Sequence, residues 1–282
     1  MTGWIVYDAD NVERNRFFID RWMAAAKEAG IALSLVLTQQ IAWGILNGQR
    51  FLKLSGQPVH PDFVVMRGAH PLLSEHLEAM DIPCFNPART AAICNDKRRT
   101  HSLFSGLLPM MDTAFVECDR YQQPFPFPVV VKASRGCGGR QVYLAQDMVM
   151  YEAALQKVWP DSAVVQPLCS QPGQDVRVYV LNNRIIGAMQ RQSASDFRSN
   201  VGLGANSSPV EPGKDIRRCV DVVLQKLDLV LAGVDFILHK GQPVFNEIED
   251  AVGTRMLYMH TNRDIAADYL AVILTRLGMK NV

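Results

Sequence analysis

Apolar runs and helical periodicities alternate through the first 86 residues. GWIVYD is an apolar run closed by acidic residues and predicts a strand. The stretch behind it puts Phe18, Trp22, Ala25 and Ala29 on one helical face, with Gly30 where a helix ends in the left-handed conformation. IALSLVLT predicts a second strand followed by a short helix; DFVVMRG predicts a third, and PLLSEHLEAMD a helix leading into the short IPCFN. Strands alternating with helices make a mainly parallel, doubly wound α/β sheet, which takes ligands at the carboxyl ends of its strands. Asp8, Asp10, Asn11 and Arg67 stand near such ends, and the plain alternative is that they cap loops.

Asn86-Pro87 predicts a boundary, because a residue before proline is pushed out of the helical region. One helix is expected over PARTAAICNDKRRTHSLFS, ending near Gly106. A strand, PVVVKAS, then runs into the glycine-rich SRGCGGRQ; strand VYLAQ and helix MVMYEAALQKV follow. Beyond Ser162 the pattern turns to hairpins. DVRVYVL and RIIGAMQRQ flank Asn182-Asn183, and VLAGVDFIL and PVFNEIE flank Lys240-Gly241, with helix IRRCVDVVLQKL between the two pairs. Thr261 and Asp264 stand in a capping-box-like relation before a last helix that ends at Gly278. The expected division is 1–86, 87–160 and 161–282.

Composition narrows the class. The 282 residues are 48% hydrophobic and 20% charged, ordinary values for a globular chain. Lys plus Arg number 29 against 28 Asp plus Glu, a net charge of +1, so there is no sequence-wide footprint for nucleic acid or an anionic membrane. Six scattered cysteines without a CxxC pair read as reduced thiols of a cytoplasmic protein. The first residues carry no basic signal region, and the uncharged stretch 29–49 is broken by Ser34, Thr38, Gln39, Gln40, Gly44 and Asn47, which are costly in hydrocarbon.

Three constellations could carry chemistry. Asp235, Glu247 and Glu249 are oxygen ligands suited to magnesium if the hairpin register brings them together. A strict two-residue turn at Lys240-Gly241 pairs Asp235 with Asn246; a three-residue loop with Gly241 left-handed pairs it with Glu247, and that loop is the expectation. Three solvated surface carboxylates are the plain alternative. Lys97 and Lys132 come next, Lys132 ending VVV just before Gly136, Gly138 and Gly139; a cation beside free backbone amides grips phosphates. The loop is neither GxxxxGKS nor GxGxxG. The third is Asp175, Arg177, Arg191, Arg198 and Asn200, where arginines offer bidentate contacts to oxyanions. Arg177 and Arg191 share a face only if the Asn182-Asn183 connection is also odd. No nucleophile signature stands out, the six histidines lack ligand spacing, and Cys137 reads as an ordinary loop thiol.

NPARTAAICNDKRRT, PVVVKASRGCGG, VVQPL, QDVRVYVLNNRIIGAMQRQSASDFRSN and AGVDFILHKGQPVFNEIEDAVG, in that order, resemble the RimK-like branch of the ATP-grasp superfamily over residues 86–253. The resemblance implies an ATP-grasp fold behind an N-terminal doubly wound α/β domain, and an ATP- and magnesium- (or manganese-) dependent carboxylate–amine ligase working through an acylphosphate. By position, Lys97 and Lys132 look like the nucleotide lysines and Ser134 to Gly139 like the phosphate-covering loop. Gln166, Pro167 and Leu168 look like the hinge facing adenine, and Asp175 like a nucleotide-site acid. Arg177, Arg191, Arg198 and Asn200 resemble the groups around the phosphates, and Asp235, Glu247 and Glu249 the metal ligands. Glu249 stands where the family usually has Asn, Pro167 where the hinge is usually acidic, and the glycine loop is long, with Arg135 and Arg140. The partners implied are a carboxylate donor and an amine acceptor, with a homo-oligomer left open. The competing readings are a small-molecule ligase of the D-alanine–D-alanine or coenzyme glutamate kind, and an ATP-binding regulatory protein that has lost catalysis.

Overall fold

The computed structural model describes residues 1–117, 123–136 and 138–279. In the N-terminal unit the strands lie in the order Ala32–Leu37, Thr2–Tyr7, Phe63–Met66, Cys84–Phe85, all parallel. Such strands are buried on both faces and read as continuous apolar runs. Trp4, Val6, Val64 and Met66 pack on one side with Leu73 and Leu77 of helix Pro71–Glu78. Ile5, Tyr7, Phe63 and Val65 pack on the other with Phe18, Ile19 and Trp22 of helix Arg16–Glu28. Ala29, expected on the buried face, is exposed; Ala26 takes the place.

The short helix expected behind the second strand is a correction. Only Thr38–Gln40 is helical, a single 3-10 turn, and Ile41–Leu46 pairs antiparallel with Gln49–Leu54. Asn47 and Gly48 both have positive φ (52° and 77°), the turn conformation whose twist matches a hairpin. The Asn-Gly pair was a signal that the uncharged run around it hid.

The single helix expected over residues 87–105 is two, Ala88–Cys94 and Lys97–Phe104. Asp96 breaks it by accepting from the Arg98 N–H at 3.0 Å, a cap that competes with helix continuation. The break frees the Lys97 N–H to donate to Ser134 O at 2.9 Å. The cap of the last helix, Ile265–Arg276, is Asp264 alone, accepting from the Ala266 and Ala267 N–H groups; Thr261 closes the preceding helix Arg255–His260, its hydroxyl donating to Leu257 O.

A central antiparallel sheet runs Val142–Ala145, Val129–Ala133, Ala163–Pro167, Ala114–Val116. Val129, Val131, Ala133 and Val165 point to helix Met148–Val158, so Val130, Lys132 and Gln166 point the other way by the two-residue period. The largest sheet orders Asn206–Pro209, Arg184–Gln192, Gln171–Leu181, Leu231–His239, Gln242–Glu249. One face carries Val176, Val178, Val234 and Phe236 against helix Lys214–Lys226 and against Cys94 and Phe104. On the opposite face Tyr179, Leu181 and Leu231 join the core of the N-terminal unit. We propose a division in which the central lobe spans 114–167, because strand Ala163–Pro167 pairs within it while residues 88–108 pack on the large sheet. Asn86 is a buried tie between units: its amide donates to Leu231 O and Asp250 O, both at 2.8 Å, and accepts from the Val230 and Leu231 N–H groups. Among the described residues no helix is long and apolar enough to cross a membrane.

Candidate active site

Two hairpins build the site, and both reach their register in the same way. Each turn has two residues with positive φ, Asn182-Asn183 (49° and 57°) and Lys240-Gly241 (52° and 74°). The three-residue loop expected at Gly241 therefore does not occur. Instead each hairpin carries one extra residue further along: Tyr179 pairs with Gly187 while Val180 pairs with Ile185, and Asp235 pairs with Glu247 while Phe236 pairs with Phe245. The extra residues, Ile186 and Asn246, flip the parity of everything beyond them. Asp175, Arg177, Arg191, Asp235, Glu247 and Glu249 thereby share the face that continues from Tyr179 and Leu181.

Asp235, Glu247 and Glu249 each offer an oxygen within 4.8 Å of the others. They are not equivalent. Asp235 is 1% exposed, and both its oxygens are taken: Arg177 donates from Nε and Nη2 at 2.7 and 2.6 Å, and Arg191 from Nη2 at 2.7 Å. Arg191 also forks onto Asp175, which accepts as well from Ser199 Oγ. Glu249 is half-buried, 2.8 Å from Arg177 Nη1, and Glu247 is 3.4 Å from Lys97 Nζ. Lys132 donates to Asn246 Oδ1 at 2.8 Å. Four acids thus face four cations, the balance a buried ionic network requires. Burial alone would raise the Asp235 carboxyl; Arg177 and Arg191 overcome it and hold the group below the ordinary carboxylate range.

Beside this network lies a pocket of about 100 Å³ between the central sheet and the hairpins. Lys97, Lys132, Gly136, Gly138, Gly139, Gln166, Pro167, Leu168, Asp175, Arg191, Arg198, Asn200 and Glu247 all line it, which brings together most residues singled out in the sequence. Gln166 is held from behind by its amide donating to Thr113 Oγ1 at 2.9 Å. The described part of the glycine loop is tied from both sides, Lys97 Nζ donating to Gly136 O and Arg198 Nη1 to Gly139 O. Gly139 must be glycine there: its φ is +73°, and a Cβ would lie 2.5 Å from Asn200 Oδ1. Cys137 lies outside the described residues.

Ser134 and Asp235, both singled out in the sequence, lie outside the lining of this pocket. Ser134 does not reach the pocket; its side chain is sealed, and it serves through its carbonyl, which accepts from the Lys97 N–H. Asp235 lies beneath the lining of the pocket, with both its carboxylate oxygens accepting from Arg177 and Arg191. Asn246, Phe197 and Ile237 were missed. Asn246 could have been found as the residue a bulge must leave over.

The pocket shares Lys97, Gly136, Gly138, Arg191, Asn200 and Glu247 with a larger cleft of about 620 Å³ that reaches the N-terminal sheet. Arg177 and Glu249 line it, as do Asp8, Asn11 and Arg67 from the strand ends; Asp10 does not. Asp8 is held by His70 Nε2 at 2.6 Å and Thr38 Oγ1 at 2.8 Å.

His101, 3% exposed under the site and edge-on to Phe245, gives a pH signature. Burial, reinforced by the charge of Lys132, lowers its pKa to about 4. The folded protein binds this proton less readily than the unfolded chain, so the stability due to neutral His101 is fully present above pH ~6.5 and is lost as pH falls through about 4. The loss is roughly 3 kcal/mol. In denaturant titrations between these limits, wild type should lose about that much more stability than His101→Phe; equal losses would contradict it.

The sequence profile of the RimK-like ATP-grasp domain matches residues 107–273. The chain belongs to the RimK-like ATP-grasp family. Among curated relatives, a protein of Parasynechococcus marenigrum named probable alpha-L-glutamate ligase is 27% identical over 73% of this chain and 46% of its own length. Mouse N-acetylaspartylglutamate synthase A is 28% identical over 88% of this chain and 72% of its own. The chain spans about half the length of the first curated relatives it matches. Among solved structures, a D-cycloserine synthetase superposes with a TM-score of 0.73 at 16% identity, covering 98% of this chain and 100% of the other. D-alanine–D-alanine ligase of Bacillus anthracis gives 0.70 at 15% identity, covering 97% and 96%. The fold of this RimK-like chain is therefore the ATP-grasp fold, with a parallel α/β unit in front.

Proposed function

We propose that the chain is an ATP-dependent carboxylate–amine ligase. The observation that carries this is the six-residue charged face at the register of two bulged hairpins, set against two lysines and a tied glycine loop. The reaction moves the γ-phosphoryl group to a carboxylate; the amine then displaces phosphate from the acylphosphate, giving an amide, ADP and phosphate. Phosphoryl transfer needs positioning and charge neutralisation rather than a protein nucleophile, which matches the residue types present.

The roles follow from placement. Lys97 and Lys132 hold phosphate charge, and the glycine loop covers it. The glycine loop is tied at Gly136 by Lys97 Nζ and at Gly139 by Arg198 Nη1, which sets it over the pocket. Gln166, Pro167 and Leu168 line the adenine end, and Arg198 and Asn200 the loop side. Arg177 and Arg191 meet the acylphosphate. The three acids fit a hard divalent cation: all donors are oxygen and they converge within 4.8 Å. A cation held there would supply positive charge to the polyphosphate. Glu247 and Glu249 are the open donors and Asp235 the buried anchor. The names of the relatives support an amino acid, glutamate first, as the amine. That every cation in the network has a partner favours an intact catalytic centre over a protein that has lost catalysis.

Coupled ADP release over a panel of amino acids and carboxylates, with Mg2+, tests the reading; no stimulated release with any pair would count against it. Lys132→Ala should weaken ATP binding by at least tenfold in calorimetry and spare folding, since the side chain makes one hydrogen bond. Unchanged affinity would place the phosphate site elsewhere.

A further inference from the structure

Arg67 follows the strand Phe63–Met66, and its N–H donates to Val6 O at 2.9 Å, which sets it beside Tyr7 at the carboxyl end of the N-terminal sheet. It is only 7% exposed, yet it has no ion pair among the described residues. Its Nη2 donates to Val252 O at 2.6 Å, and its plane lies 5.2 Å from the Phe18 ring. Nε is sealed without a partner, as is the neighbouring Tyr7 hydroxyl; Nη1 makes no hydrogen bond among the described residues, and Arg67 lines the large cleft. Asp250, the acid that feels its charge, spends Oδ1 on Asn95 Nδ2 and the Ala251 N–H instead.

A guanidinium taken out of water with no carboxylate in direct contact is costly, and a ligand can complete it. A carbonyl and an aromatic ring explain its orientation but not its charge, since neither requires a full cation. Arg14, Arg140 and Arg255 line the same cleft without ion pairs among the described residues. The same cleft is lined by Arg67 and by Arg177, Arg191, Glu247 and Glu249 of the acid–arginine network.

We propose that Arg67 is a specificity-determining residue that binds an anionic group, carboxylate or phosphate, on the part of the substrate that is not activated. This rests on the ligase reading for the word substrate but not for the anion site itself. Its planar fork, already held by Val252 O on one arm, presents the free arm to an oxyanion in a geometry no lysine reproduces. A neutral analogue would leave the buried charge unmatched, which is the strongest form of rejection a site can build.

The test uses the full chain with ADP and Mg2+ at saturation, so that the nucleotide site is filled. Succinate, inorganic phosphate and neutral succinamide are titrated while the thermal midpoint is followed. At least one anion should raise the wild-type midpoint saturably, and succinamide should not; whichever anion acts identifies the source of the charge. Arg67→Met should lose the response, and Arg67→Lys should need at least tenfold more anion. If Arg67→Met does not fold, the Arg67→Lys titration decides. No response from either anion, or equal responses in wild type and Arg67→Lys, overturns the proposal. Failure of ADP and Mg2+ to stabilise any form would instead count against the ligase reading, and the anion arms would still be read.

Discussion

Glu247→Gln should fold normally and release ADP about 1,000-fold more slowly than wild type. The side chain is 25% exposed, and its ion contact is Lys97 at 3.4 Å. A screened contact of that kind is worth no more than about 1 kcal/mol, so the thermal midpoint should move by only a few degrees. Its chemical value is larger. Losing the carboxylate removes an open donor from the acid cluster and leaves the charge of Lys97 unbalanced where phosphate charge must be handled. Removing one preorganised electrostatic contact from a transition state costs up to ~4 kcal/mol, which sets the expected factor. ADP release within tenfold of wild type, at unchanged Mg2+ dependence, would remove Glu247 from the reacting centre.

Asp235→Asn should do the opposite, failing first as a folded protein. The substitution leaves Arg177 and Arg191 buried with one carboxylate fewer between them, and breaking a buried pair in this way costs ~3–5 kcal/mol. For a chain of this size that lowers the midpoint by on the order of 10 °C. If the penalty comes from the uncompensated guanidinium, adding Arg177→Met should return part of it. Equal midpoints for Asp235→Asn and Glu247→Gln would contradict the separation of buried anchor from open donor.

That separation was not visible in the sequence. Asp235, Glu247 and Glu249 read there as three equivalent ligands, because spacing reports which residues share a face and nothing about how deep each lies. Depth comes from what covers the face: Gly233 sits directly under Arg177, where a Cβ would lie 3.2 Å from its Cδ, so the arginine lies flat over Asp235. Ser134 shows the same limit. Its place in a glycine-rich loop suggested phosphate contact, whereas its side chain is fully buried.

The hairpins show where local and non-local information part. Asn182-Asn183 and Lys240-Gly241 were legible as turns, because left-handed backbone favours those residue types. The bulges at Ile186 and Asn246 were not, and the register of every charged residue depends on them. An extra residue in a strand is chosen by packing on both faces at once. Phe236 and Phe245 must meet the core beneath while Asp235 and Glu247 take the opposite face, and a one-residue bulge is how one strand pair satisfies both.

By itself the sequence determined the alternating α/β unit, the order of the ATP-grasp motifs and the inventory of lysines, arginines and acids, since these rest on side-chain periodicity and on residue types at short spacing. Only the tertiary structure decided that the helix before the glycine loop breaks at Asp96, that residues 88–108 pack on the large sheet, and that Arg67 lies buried at the cleft with no ion pair among the described residues. Each of these depends on contacts between residues far apart in the chain, where burial and charge balance are set by neighbours that no local pattern names.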